Sequence, residues 1–123
     1  MELKTGDSII VDFDGVIVDE EYPNIGKIKN SHIFHFLNTC KRHGIKVYVW
    51  SARCNNYFGD NPKFPIYGFR GMQQIDKFMK KNKLYYTDFL IQHKPISKLH
   101  AKMIVDDCSF KELSTYGIEF KKC

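Results

Sequence analysis

Long apolar runs and paired cysteines are both absent from this sequence. Because a membrane-spanning helix needs about 20 consecutive apolar residues, we expect no transmembrane segment. The cysteines lie singly along the chain with no C-x-x-C pair, at Cys40, Cys54, Cys108 and Cys123. This spacing disfavours a zinc site or a disulfide framework and favours reduced thiols. The first residues, Met1 to Asp7, contain no apolar stretch like that of a signal peptide, so we expect a cytoplasmic protein.

Internal repeats, linkers and low-complexity segments are absent as well. A chain of 123 residues is long enough to bury a core of its own, and we expect residues 1–123 to form one domain. The formal net charge is +5, and lysines cluster at Lys77, Lys80, Lys81 and Lys83. Such a cluster is typical of a solvated helix face. The alternative is a surface that attracts a polyanion such as a nucleic acid.

The most informative stretch runs from Ser8 to Val16, where an apolar run ends in Asp12 and Asp14 and a glycine follows. Its β-branched residues, without polar alternation, predict a buried strand. Ligands bind at the carboxyl ends of the strands in open α/β sheets, and carboxylates are costly to desolvate without a partner. Asp12 and Asp14 therefore indicate a site for a cation, a phosphate or both. The alternative is a strand that ends in a solvated Asp-Gly turn.

Strand and helix patterns alternate along the rest of the chain. Further strands are predicted at Ile45–Trp50, Thr87–Ile91, Lys102–Val105 and Gly117–Phe120. Helices are predicted between an N-cap at Ser31 and a stop at Gly44, from Gly71 to Lys81, and around Phe110–Tyr116. This alternation predicts an α/β fold of βαβ units with a mostly parallel sheet. The long aromatic loop Tyr57 to Phe69 is either functional or a cover for the sheet edge.

Polar side chains adjoin three of these strands, at positions that could meet at one edge of the sheet. They are Asp12 and Asp14 after the first strand, Ser51 after the second, Asp106 and Asp107 after the fourth, and Lys98 and Lys94 ahead of the fourth. Four carboxylates in one crevice repel each other unless a cation lies among them, and oxygen ligands favour Mg²⁺. A metal held by carboxylates, together with a lysine and a serine, is suited to phosphoryl transfer.

These motifs resemble those of the haloacid dehalogenase (HAD) superfamily of phosphohydrolases. Asp12-Phe13-Asp14-Gly15-Val16 is similar to motif I, Ser51 to motif II, a lysine to motif III and Ile104-Val105-Asp106-Asp107 to motif IV. Tyr22-Pro23-x-Ile25-Gly26 and Trp50-Ser51-x-Arg53 resemble segments of small bacterial and phage members without a cap. The resemblance implies a single Rossmann-like three-layer domain, HAD-like, with a mostly parallel central sheet and no cap domain.

The resemblance also implies a Mg²⁺-dependent phosphatase that acts through an aspartyl-phosphate. Asp12 would be the nucleophile, and Asp14 the general acid and then the general base. Ser51 and a lysine would bind the phosphoryl group. An aspartate at position 14, two residues after the nucleophile, resembles the pattern of phosphatases, so the resemblance favours hydrolysis of phosphate esters.

Two assignments within the resemblance have alternatives. Lys98 is favoured as the motif III lysine because of its shorter spacing to motif IV, while Lys94 precedes a proline as the lysine of small relatives often does. Asp106 is favoured as the direct metal ligand, and Asp107 as a residue that contacts the ligands without binding the metal itself. The implied Mg²⁺ ligands are the Asp12 side chain, the Asp14 backbone carbonyl and one of these two acids.

The chain has too few residues between Asp14 and Ser31 for an inserted cap. An uncapped crevice admits large substrates, and the basic chain favours a nucleotide or nucleic-acid phosphate. Two rival interpretations remain. A receiver domain would place its accepting aspartate after the third strand, whereas Asp88 lies at the start of that strand. A non-catalytic Mg²⁺/phosphate-binding module could share the same fold.

Overall fold

The computed structural model describes residues 2–54, 69–90, 101–105 and 119–121. In chain order its elements are β1 (Glu2–Lys4), β2 (Ser8–Asp12), α1 (Ser31–Arg42), β3 (Lys46–Trp50), a 3-10 helix (Ala52–Cys54), α2 (Phe69–Lys81), β4 (Asp88–Leu90), β5 (Ala101–Val105) and β6 (Glu119–Lys121). Residues 57–68 of the aromatic loop and the predicted helix at Phe110–Tyr116 lie outside the described residues. Neither described α-helix has the length and apolar character needed to cross a membrane.

Four parallel strands form the main sheet, in the order β4-β3-β2-β5. The strand β2 lies in the interior of this sheet, with Asp12 opposite Trp50 of β3 and Val11 opposite Val105 of β5. The chain is therefore a small α/β fold with a parallel sheet, as the alternating patterns predict. A separate parallel pair joins β1 to β6, and the sequence patterns do not predict β1.

The core lies where the two helices pack on the main sheet. Every residue from Ile9 to Val11 is buried, as expected for an interior strand of a parallel sheet that is covered on both faces. The helices contribute apolar residues at helical spacing to the same cluster: Ile33, Leu37 and Cys40 from α1, and Ile75 and Met79 from α2. The periodicity of these residues is what makes each helix amphipathic and fixes the face it turns to the sheet.

The helix starts differ from the predicted ones by one or two residues. The N-cap of α1 is Asn30 rather than Ser31, because Asn30 has extended backbone and its Oδ1 accepts a hydrogen bond from the His32 amide at 2.9 Å. The helix α2 starts at Phe69, before the predicted Gly71. Gly71 lies against the 3-10 helix so closely that a Cβ atom on it would be 1.9 Å from the carbonyl oxygen of Arg53.

The segment between β2 and α1 folds back on itself at the carboxyl end of the sheet. The Phe13 carbonyl accepts hydrogen bonds from the amides of Ile17 and Val18 at 3.0 and 3.2 Å. Farther along, the Asp19 amide donates to the Lys27 carbonyl at 2.8 Å. Because Ile17 and Val18 are fully buried, this segment is anchored to the core. It is thus fixed beside the end of β2.

Candidate active site

A cavity of about 300 Å³ lies at the carboxyl ends of β2 and β3. Asp12 and Asp14 line it from the β2 side, and Ser51 and Arg53 line it from the β3 side. The two strands run parallel with Asp12 opposite Trp50, so the residues that follow each strand leave the sheet at the same edge. The structure therefore brings the predicted site residues Asp12, Asp14 and Ser51 together.

Asp14 forms a two-pronged ion pair with Arg53. The Arg53 Nε donates to Asp14 Oδ2 at 2.9 Å, and Arg53 Nη2 donates to Asp14 Oδ1 at 2.9 Å. The Arg53 side chain is 2% exposed and that of Asp14 is 22% exposed. Paired geometry of this kind is the strong form of the arginine–carboxylate interaction. It fixes the orientation of the Asp14 carboxylate at the cavity wall.

The Ser51 hydroxyl belongs to the same network. It donates to Asp14 Oδ2 at 3.3 Å and accepts a hydrogen bond from the Arg53 amide at 3.1 Å. Ser51 itself is buried. Among the described residues, Asp14 Oδ2 therefore accepts two hydrogen bonds, whereas Oδ1 accepts one, from Arg53 Nη2.

The guanidinium of Arg53 also holds the segment that follows β2. Its Nη1 donates to the Pro23 carbonyl at 3.0 Å, and its Nη2 donates to the Asn24 carbonyl at 2.6 Å. The group lies 5.0 Å from the centre of the Tyr22 ring, within the range of a cation–π contact. Arg53 thereby joins the end of β3 to residues 22–24.

Gln74 brings α2 into this network. Its Oε1 accepts a hydrogen bond from Arg53 Nη1 at 2.8 Å, and its Nε2 donates to the Pro23 carbonyl at 3.1 Å. With the Gln74 bond, the five N–H groups of the guanidinium are matched by five acceptors. We call Asp14, Pro23, Asn24, Arg53 and Gln74 the Arg53 cluster. Within it, Arg53 has no donor left for a substrate, so its role is to hold other groups in place.

The sequence motifs did not identify Arg53 or Gln74 as site residues. Arg53 belongs to the Trp50-Ser51-x-Arg53 segment of the resemblance, but that segment assigns it no role, and nothing in the sequence shows that it is 1% exposed. Gln74 follows the exposed Gln73 on α2, so the sequence pattern does not separate the two. Only the packing of α2 against the 3-10 helix makes Gln74 part of the cluster.

Cys54 lies at the end of the 3-10 helix, next to the cluster. Burial, and to a smaller extent the nearby Asp14 carboxylate, raise the pKa of its thiol from 9.0 to about 12 against the opposing charge of Arg53. A thiol with this pKa stays protonated at neutral pH and is a poor nucleophile. Cys54 is therefore a packing residue beside the cavity.

The other predicted site residues, Lys94, Lys98, Asp106 and Asp107, lie outside the described residues. The described strand β5 ends at Val105, which pairs with Val11 of β2. Across residues 2–54, 69–90, 101–105 and 119–121, no three acidic, histidine or cysteine side chains are grouped to hold a metal ion.

The cavity is lined by three carboxylates, by the hydroxyls of a serine and a tyrosine, and by the buried guanidinium of Arg53. Such groups can bind a cation or stabilise negative charge on oxygen. No protein-family model, curated protein or solved structure matches this chain.

Proposed function

We propose that the chain is a Mg²⁺-dependent phosphatase, a phosphoric monoester hydrolase of the HAD type, with a Rossmann-like three-layer domain and no cap. One observation carries the proposal. Two aspartates at the carboxyl end of the interior strand β2, Asp12 and Asp14, line one cavity together with Ser51 from the neighbouring strand β3. Ligands in parallel α/β sheets bind at this edge.

The proposed reaction has two displacements at phosphorus. A carboxylate oxygen of Asp12 attacks the phosphorus of the ester, and the bond from phosphorus to the ester oxygen breaks. That oxygen takes the proton of a neutral Asp14 carboxyl group, which is left as a carboxylate. Water then attacks the phosphorus of the aspartyl-phosphate and gives a proton to Asp14. The bond to Asp12 breaks, inorganic phosphate leaves, and both aspartates return to their starting states.

The geometry of Asp14 supports its proposed role. Each carboxylate oxygen has two lone pairs, and Oδ2 already accepts from Arg53 and Ser51. Because Oδ1 accepts a single bond within the described part of the chain, from Arg53 Nη2, it is the oxygen that can carry the proton during the reaction. Arg53 acts on the reaction through this orientation and makes no contact with the substrate, since its own donors are already used.

The donor set fits Mg²⁺. The ionisable lining groups of the described cavity offer carboxylate oxygens and no thiol or imidazole, and hard oxygen ligands select this ion. The side chain of Asp12, the backbone carbonyl of Asp14, and Asp106 or Asp107 would hold it. When bound, the ion neutralises negative charge on the phosphoryl oxygens. The Asp14 side chain forms an ion pair with Arg53, which is consistent with the backbone carbonyl of Asp14, rather than its carboxylate, as a ligand of the ion.

The phosphoryl group would be bound by Ser51 and by a lysine, Lys98 in preference to Lys94. A side-by-side comparison of Lys98→Ala and Lys94→Ala identifies this lysine as the residue whose loss costs more activity. The net charge of +5 favours a nucleotide or nucleic-acid phosphate as the substrate, because a basic protein attracts polyanions.

A panel of phosphate esters tests the proposal. The purified protein is incubated with an aryl phosphate, with mononucleotides, and with 3′- and 5′-phosphorylated oligonucleotides, and phosphate release is measured with Mg²⁺ and with EDTA. We expect release that depends on Mg²⁺, and the preferred ester defines the substrate class. Absence of release from every ester, in a protein that binds Mg²⁺, would contradict the proposal and favour a non-catalytic Mg²⁺/phosphate-binding module.

Asp12→Asn is the decisive variant. It removes the nucleophile while keeping the size of the side chain, so we expect release to fall to background with an unchanged thermal unfolding midpoint. Asp19→Asn is the matched control, because Asp19 is exposed and does not line the cavity. Wild-type activity is expected in this control. Substantial release by Asp12→Asn would exclude Asp12 as the nucleophile.

A further inference from the structure

A second cavity, of about 490 Å³, lies between α1 and the end of α2. Its charged lining residues are all lysines, Lys41 from α1 and Lys80 and Lys83 at the end of α2, and no acidic side chain lines it among the described residues. The candidate active site is the opposite case, since Asp12, Asp14 and Glu20 line it. We call the second cavity the lysine groove. Its charge suits an anionic ligand.

Two of the three lysines are not neutralised by an ion pair in the described part of the chain. Lys80 pairs with Asp76 at 2.9 Å, one turn earlier on α2, and Asp76 also accepts a hydrogen bond from the Tyr86 hydroxyl. No described carboxylate forms an ion pair with Lys41 or Lys83. The lysine groove therefore keeps a net positive charge.

An aromatic side chain lies along the groove. Phe34, Asn38 and Lys41 line it from one face of α1, as their spacing of four and three residues requires. Phe34 is 37% exposed, which makes it one of the large apolar side chains that the core leaves open to solvent. A groove that combines lysines with an exposed aromatic ring offers partners for both phosphates and bases.

We propose that the lysine groove binds single-stranded nucleic acid. Lys41 and Lys83 contact phosphate groups, and a base stacks on the ring of Phe34. The positive charge of the groove alone would attract any polyanion. The exposed ring of Phe34 favours a ligand with unpaired bases, since the face of each base can stack on it. The lysine groove and the candidate active site share no lining residue. The proposal does not depend on the proposed phosphatase activity.

A binding titration in the presence of EDTA tests this proposal without turnover. Fluorescence anisotropy of a labelled oligodeoxythymidylate is measured with the wild-type protein and with the double variant Lys41→Gln/Lys83→Gln. The matched control is Lys77→Gln/Lys81→Gln, because both lysines are exposed on α2 and neither lines the groove. We expect the groove variant to bind about tenfold more weakly at low salt and the control to lose clearly less.

Phe34→Leu separates stacking from charge. Leucine keeps an apolar side chain on α1 but cannot stack with a base, so we expect affinity for the oligonucleotide to fall by about fivefold or more. Affinity for heparin, a polyanion without bases, is expected to be unchanged. An equal loss in the two lysine double variants would overturn the groove as the site. An unchanged oligonucleotide affinity in Phe34→Leu would overturn single-stranded nucleic acid as its ligand.

Discussion

Arg53 is a cation buried to 1% exposure, a position that charged residues occupy only with partners. Removing a charge from water is costly, and here the cost is offset by the Asp14 carboxylate, two backbone carbonyls and the Gln74 amide oxygen. The contacts of Arg53 fix three parts of the chain at once: the end of β2, the segment at residues 22–24, and α2. Arg53 is therefore a positioning residue for the cavity.

Arg53→Lys tests this role at the level of the single residue. A lysine keeps the charge but offers three donors from one point, so it cannot reproduce the planar fork that Arg53 uses on Asp14. We expect a loss of about 3 kcal/mol in the free energy of unfolding, measured by urea denaturation. Arg70→Lys is the control, because Arg70 is exposed on α2. Equal stability of the two variants would contradict a structural role for the ion pair.

At the level of elements, the apolar pattern of the sequence was sufficient to locate β2, α1, β3 and α2. The strand β2 is a continuous apolar run that is buried, β3 buries alternate residues, and each helix buries one face. The starts of the helices were less predictable because they depend on contacts. Asn30 caps α1 through its side chain, one residue before the predicted N-cap Ser31. The helix α2 begins before Gly71, whose missing Cβ allows contact with Arg53, and no local pattern encodes that approach.

Gln74 provides a test of how α2 is joined to the site. Gln74→Leu keeps the helix propensity of the residue but removes its side-chain bonds to Arg53 and Pro23. We expect a loss of about 1 kcal/mol in the free energy of unfolding. Gln73→Leu is the matched control on the same helix, because Gln73 is exposed, and it is expected to unfold like the wild type. A similar loss in both variants would mean that the added leucine, not the lost bonds, is responsible.

At the level of the whole molecule, contacts between distant parts of the chain were the least predictable feature. Asp12, Asp14 and Ser51 could be placed together from the sequence, because the carboxyl ends of parallel strands lie at the same edge of the sheet. The ion pair of Asp14 with Arg53 needs the β2–β3 register and the folded segment after β2. The pairing of β1 with β6 likewise joins the two ends of the chain, and three-residue strands carry too little pattern to predict it.

Two buried thiols make the folded protein less stable at alkaline pH. Burial raises the pKa of Cys40 from 9.0 to about 12, and Cys54 is raised to about 12 mainly by the same cause. The folded state therefore holds these protons while the unfolded chain releases them above pH 9. Each protonated thiol makes its full contribution to the free energy of unfolding below this pH. That contribution is lost as the pH rises towards 12. At pH 10 we expect the loss to be about 1 kcal/mol per thiol.

Cys40→Ala separates this effect from other titrations. The free energy of unfolding is measured by urea denaturation of the wild type and the variant at pH 8 and pH 10. Alanine has no proton to release, so we expect the variant to lose about 1 kcal/mol less than the wild type between the two pH values. All other residues are the same in the two proteins, so this difference isolates the Cys40 thiol. Equal losses in the two proteins would show that the Cys40 thiol ionises as readily in the folded state as in the unfolded chain.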